Sequence, residues 1–212
     1  MFTQDLIITT YNSIESCNIL INQVIYFSGF FNKIIIVDDK STDETFPYLK
    51  LKLSSLDNIV LLQNKANNGP SGSRNKGVEI SNANYVSFLD SDDIFCKDKF
   101  KIINEYCNLN HPDIFFHGYK IIYSRKHKSK ILNSNTEIHS KYIYLFKSIY
   151  VTPALTIKRE IFEKEGGYDI NLRYAEDLDL YIRLRMKYNF HYIKSDLVGV
   201  YKSKYSISSN RR

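Results

Sequence analysis

Short apolar runs alternate with longer stretches of helical period along the first half of the chain. "DLIITTY" (5–11), "KIIIVDD" (33–39), "NIVLLQN" (58–64) and "NYVSFLD" (84–90) are brief and rich in β-branched residues, so they predict buried strands. Between the first two, Ile14, Cys17, Ile21, Val24 and Ile25 recur at helix spacing, and Asn12 or Ser13 is placed to cap the start. "STDETFPYLKLKLSSL" predicts a capped helix. "NNGPSGSRNKGVEISN" predicts a Gly-rich loop entering a helix with Pro70 in its first turn. "CKDKFKIINEYCNLN" reads as a helix and "DIFFHGYKIIY" (113–123) as a further strand.

Four successive βα units predict an α/β fold: a single domain with a doubly wound, mainly parallel sheet and helices on both faces. Beyond residue 118 the pattern loosens. "SRKHKSK" (124–130) reads as a basic loop or hairpin tip, and Gly166-Gly167 as a turn. A helix spans 176–187, with Leu178, Tyr181, Ile182 and Met186 at neighbouring positions on it, and "HYIK" and "LVGVY" read as two short strands. Ligands of such sheets bind beyond the carboxyl ends of the strands, where strand order reverses. The unusual polar clusters "TTYNS", "VDDKSTDE", "NNGPSGSR" and "LDSDD" all fall at such ends.

Composition narrows the class. The 212 residues are 43% hydrophobic and 25% charged, as in a globular domain, with a net charge of +6. Against that positive balance, Asp90, Asp92, Asp93 and Asp98 crowd into nine positions, which suggests a bound cation; Asp98 alone reads as a plain helix cap. Cys17, Cys96 and Cys107 lack metal-ligand spacing and predict reduced thiols in a cytosolic protein, Cys17 and Cys107 in the core. No signal peptide and no apolar run of spanning length is apparent. The basic balance permits contact with phosphates or anionic lipid. "GPSGSRNKG" lacks the spacing of a nucleotide phosphate loop. Its glycines read as allowing close backbone approach, and Arg74 as a contact to a base or phosphates, with a surface Arg on an amphipathic helix as the plainer alternative.

Four clusters in order, "LIITTYNS", "IIIVDDKSTDET", "NNGPSGSRNKGVEISNANYVSFLDSDD" and "GGYDINLRYAEDLDLYIRL", resemble the inverting glycosyltransferases of family 2, which have the GT-A fold. "YKSKYSISSN" is similar to that family's closing segment, so the resemblance extends from residue 5 to about 210. It implies transfer of a sugar from a UDP-sugar donor to an acceptor hydroxyl, with a divalent metal, Mn²⁺ or Mg²⁺, on the diphosphate. It implies Asp39 as the reader of the base, with Thr9 and Tyr11 lining that pocket. Asp90 and Asp92 match the D-x-D motif, Asp92 as the direct metal ligand and Asp90 as a neighbour holding ribose or metal-bound water. Asp177 matches the catalytic base, leaving Asp179 a structural or acceptor-positioning role. Thr9 stands where many members have Pro, and the closing segment carries Lys202 or Lys204 nearby rather than a His; a charged lysine cannot ligate a metal but can pair with a diphosphate.

The resemblance further implies a nucleotide-sugar-binding half (1–118) and an acceptor or catalytic half (119–212). It also implies a bacterial surface-polysaccharide or lipid-linked saccharide acceptor, no nucleic-acid partner, and a cytoplasmic location with possible peripheral contact at the inner membrane face. Two other classes compete: a sugar nucleotidyltransferase, which should carry a Gly-rich basic loop after the first strand, and a non-catalytic nucleotide-sugar-binding module, which could dispense with Asp177.

Overall fold

The computed structural model describes residues 2–123, 132–133 and 150–202. The chain begins with β1 (Gln4–Thr10), α1 (Cys17–Phe27), β2 (Lys33–Asp38), α2 (Thr45–Leu53), β3 (Ile59–Gln63), α3 (Gly69–Ile80) and β4 (Tyr85–Asp90). It continues through β5 (Ile94–Phe95), α4 (Lys99–Asn110), β6 (Ile114–Tyr123), β7 (Leu132–Asn133), β8 (Leu155–Lys158), α5 (Arg159–Lys164), α6 (Glu176–Lys187) and β9 (Phe190–Lys202). One sheet runs β3-β2-β1-β4-β8-β6-β9-β5, with β7 paired to β6.

The parallel block β3-β2-β1-β4 follows from sequence. Leu6, Ile7, Ile8, Ile34, Ile35, Ile36, Val86, Phe88 and Leu89 are all essentially buried. Central parallel strands are covered on both faces, so their apolar runs are continuous rather than alternating. Pro70 lies in the first turn of α3, where its missing N–H costs nothing. Cys17 and Cys107 are buried core thiols, and burial pushes their pKa values up to about 11 and about 12.

Three local expectations need correction. The first helix starts at Cys17: residues 13–16 form a turn in which Ser16 and Cys17 N–H donate to Ser13 O, so neither Asn12 nor Ser13 caps it, and Ile25 is exposed. On α6 the buried residues are Leu180, Tyr181 and Leu184, while Met186 is 82% exposed. "HYIK" and "LVGVY" are one strand, β9, whose register against β6 slips on either side of Gly118. The sheet is mainly parallel, as expected, and β8 inserts antiparallel between β4 and β6. Only four residues long, β8 carries too little periodicity to stand out in the sequence. The basic stretch 124–130, the side chain of Lys202 and all of Lys204 lie outside the described residues.

Candidate functional site

Strand β1 has β2 on one side and β4 on the other, while the chain runs from β1 outward to β3 before returning to β4. The order therefore reverses between β1 and β4, and their carboxyl ends are where a sheet of this kind places its ligand crevice. Register places Thr9 opposite Asp90 and Thr10 opposite Asp38. Thr9 Oγ1 donates to Asp90 Oδ1 at 3.2 Å. Tyr11 stands 49% exposed just beyond β1.

The two aspartates ending β2 divide their work. Asp38 is fully buried and builds the turn, accepting from Ser41 N–H, Ser41 Oγ and Gln63 Nε2. Asp39, also buried, accepts from Asn64 Nδ2 at 2.9 Å and from the backbone N–H groups of Asn68 and Gly69 at 2.8 Å each. It thus fixes the entry to α3, where Gly69 adopts a positive φ of 71° that favours glycine. A carboxylate offers about four acceptor positions, so one remains for a further donor.

Arg74 lies on α3, which packs on β1 and β2. It is 5% exposed, so the surface alternative is wrong. Its Nη2 is 2.8 Å from Asp90 Oδ1, its Nη1 is 3.2 Å from Glu176 Oε1, and the guanidinium lies 5.2 Å from the Tyr168 ring. Carboxylate pairing outweighs desolvation and holds it protonated above its ordinary pKa. The next residue, Asn75, donates to Tyr168 O at 2.8 Å and accepts from Tyr168 N–H at 2.9 Å. Consecutive α3 side chains therefore grip the segment that leads into α6. Gly167 belongs to that segment at φ 62°, and a Cβ there would lie 2.6 Å from Asn75 Oδ1.

The D-x-D segment forms a turn closed by Asp93 N–H donating to Asp90 O at 3.0 Å. Asp92 is exposed on it. Asp93 is buried and accepts the backbone N–H of Tyr201 at 3.0 Å, so it ties β9 to the turn. Burial, then Asp90 and Asp92, push its carboxyl well above the usual range. Asp98 occupies the residue before α4 but makes no side-chain cap bond. Among the described residues, no group of three or more His, Cys, Asp or Glu could cage a metal ion. The oxygen donors present nonetheless fit Mg²⁺ or Mn²⁺, which need only one or two carboxylates when substrate phosphates and waters complete the shell. Asp92 is the residue that would hold it directly, with Asp90 beside it for ribose or a metal-bound water.

Helix α6 opens at Ala175, whose φ of 59° is costly for a residue with a Cβ. Asp177 lies in its first turn, partly buried, with Oδ1 accepting from Leu178 N–H at 2.7 Å. Burial, and then the neighbouring Glu176, raise its pKa. That overrides the lowering expected from a helix N-terminus. Asp179 is engaged elsewhere: Arg183 Nε and Nη2 donate to it at 2.9 and 2.7 Å, and the same guanidinium donates to Glu165 O and Gly167 O. A recess of about 470 Å³ beside Asn75, Ile170, Asp179 and Arg183 lies on this structural face of α6.

The crevice thus gathers Thr9, Arg74 and Asp90 directly, with Asp177 one residue from Arg74's second partner. Asp39 anchors the wall of the crevice, and Asp92 its acidic turn. The role of Glu176 is what sequence reasoning missed. It was legible as one acid of the cluster at the start of α6, but its partner lies 102 residues away.

The family model for glycosyl transferase family 2 matches residues 5–166. An uncharacterized glycosyltransferase of Haemophilus influenzae is 27% identical over 191 residues, covering 87% of this chain and 63% of that protein. The poly(ribitol-phosphate) beta-glucosyltransferase of Bacillus spizizenii is 36% identical over 93 residues, covering 42% of this chain and 14% of that protein. The crystal structure of S. aureus TarS 1-349 in complex with UDP-GlcNAc superposes with a TM-score of 0.81 at 20% identity, covering all of this chain and 62% of that one. The chain spans less than two-thirds of each of these proteins.

Proposed function

The chain belongs to glycosyl transferase family 2, and from that premise we propose that it moves a sugar from a UDP-sugar to an acceptor hydroxyl, with inversion at the anomeric carbon. The observation that carries this reading is the run Thr9–Asp90–Arg74–Glu176, which brings the acidic end of β4 and the start of α6, with Asp177, to one crevice. The donor lies over the carboxyl ends of β1 and β4. Asp39 uses its remaining acceptor position for the N3–H of uracil, and Thr9 and Tyr11 line the base pocket. Asp90, whose Oδ1 is already engaged, presents its other oxygen to ribose or to a metal-bound water.

Residues 1–118 hold the donor and residues 119–212 hold the acceptor and the base. Asp177 takes the proton of the acceptor hydroxyl as the new bond forms at the anomeric carbon and the bond to the diphosphate breaks. A carboxylate with a raised pKa is the better base for a neutral hydroxyl. When bound, Mn²⁺ or Mg²⁺ would supply charge neutralisation at the diphosphate leaving group, and Asp92 is the side chain that would hold it.

Support for a UDP-sugar comes from the fold shared with TarS, which was crystallised with UDP-GlcNAc, and support for a saccharide or polyol-phosphate acceptor from the name of the Bacillus relative. The acceptor we infer is a surface polysaccharide or a lipid-linked saccharide, met from the cytoplasmic side at the membrane surface. No helix among the described residues is long and apolar enough to cross a membrane. The test is UDP release from a panel of UDP-sugars, with Mn²⁺, with Mg²⁺ and with EDTA. Release above the uncatalysed rate from at least one donor is expected, and its absence across the panel would overturn the reading.

A further inference from the structure

Arg74 is a single buried cation shared by two carboxylates from distant parts of the chain. Its Nη2 meets Asp90 at the end of β4 and its Nη1 meets Glu176 at the start of α6. The Glu176 side chain is 17% exposed, so the pair is shielded from solvent screening. Glu176 is also the residue immediately before Asp177, on the same rigid helical turn. The segment before the helix cannot fix that turn by regular structure, since Ala175 is in the left-handed region and residues 169–174 form an exposed loop. The body of α6 is held by its buried residues Leu180, Tyr181 and Leu184, and its first turn is tied to the donor side by the bridge from Arg74, with the Asn75–Tyr168 bonds holding the segment before it.

We propose that Glu176 is a positioning residue for transfer: through Arg74 it locks the base-bearing turn of α6 to Asp90 in the donor crevice. This rests on the transferase reading above. A carboxylate is suited to the task because a guanidinium presents two separate amino groups, one for each partner, and holds them in a fixed plane. The groups facing Asp177 are Glu176 from its own helix, Arg74 from α3, Tyr168 from the preceding segment and Tyr181 one turn on. Of these, Arg74 and Glu176 carry opposite charges near it, so replacing Glu176 alters the charge balance at the base as well as its placement.

The test compares wild type, Glu176→Gln, Glu176→Asp and Asp177→Asn for UDP affinity, steady-state transfer and thermal unfolding. Glu176→Gln is expected to keep UDP affinity within about threefold while kcat falls roughly 10- to 100-fold, the loss typical of a misplaced catalytic group. Its acid limb in kcat should move to lower pH, because Asp177 loses a like charge while Arg74 remains. Glu176→Asp should also lose rate, through the shortened reach, while keeping the wild-type limb. Wild-type kcat and limb in Glu176→Gln would overturn the inference, as would a loss confined to UDP affinity or failure of both Glu176 variants to fold. Full transfer by Asp177→Asn would instead sink the transferase assignment of the base, whereas an inactive Asp177→Asn beside a normal Glu176→Gln sinks only the positioning role.

Discussion

Arg74 Nη2 and Asp90 Oδ1 stand 2.8 Å apart, with the arginine almost wholly buried and the aspartate about a third exposed. Removing the cation leaves Asp90 and Glu176 facing one crevice without compensation. Arg74→Ala should destabilise the domain by up to about 3 kcal/mol, short of a fully buried pair because water still reaches Asp90. Urea unfolding measures it, and a change under about 0.5 kcal/mol would show that the pairs contribute little to the fold.

Asp39 makes a second prediction. A carboxylate only accepts, so uracil with its N3–H suits it and cytosine with a bare N3 does not. UDP should bind more tightly than CDP by about 1–3 kcal/mol. Calorimetric titration of the two nucleotides decides, and equal affinities would leave Asp39 as the anchor of Asn68 and Gly69 alone.

Asp92 is exposed on its turn, so Asp92→Asn should leave the unfolding transition nearly unchanged. Mn²⁺ should strengthen UDP binding to the wild type, and most of that gain should disappear in the variant. If EDTA leaves turnover untouched, the oxygen donors of the turn serve some other purpose.

Asp177→Asn should lower kcat by roughly 10²- to 10⁴-fold with little effect on UDP affinity. The wild-type pH profile carries a matching signature. The base works when ionised, and burial raises its folded pKa, so kcat should fall as pH drops through a value above the ordinary aspartate range. The same shift acts on stability. A raised carboxyl pKa means that the native state binds the proton more tightly than the unfolded chain, so this group's contribution falls as pH rises through the shifted value. An acid limb at or below the usual aspartate pKa would point to a different base.

The parallel half of the fold was readable because its strands are buried on both faces and its helices are amphipathic, so each element announces itself locally. Ile34, Ile35 and Ile36 have no exposed surface, and Leu6, Ile7 and Ile8 on the neighbouring strand are buried in the same way. The mixed half was harder: β8 is too short to show a period, and the β9 slip divides one strand into two apparent ones. Motif position sufficed to nominate Asp177 over Asp179, and the hydrogen bonds from Arg183 give Asp179 a structural occupation. Glu176 was legible only as one acid of the cluster at the start of α6, because ion pairs between distant segments leave no periodic trace. Arg74 was nominated for a ligand contact, and its burial between two carboxylates depends on how α3 and α6 pack, which no local pattern encodes.

The double engagement of Arg74 also imposes an order of assembly during synthesis. Asp90 follows Arg74 by only 16 residues, whereas Glu176 follows by 102. At translation rates of about 5–20 residues per second, the first partner is made within roughly 1–3 s and the second only after roughly 5–20 s. During that interval the guanidinium has one carboxylate, and the nascent chain holds β1 to β4 without the turn that bears Glu176 and Asp177. A ribosome-bound chain stalled before α6 therefore lacks Glu176 and Asp177 even where β1 to β4 have already paired.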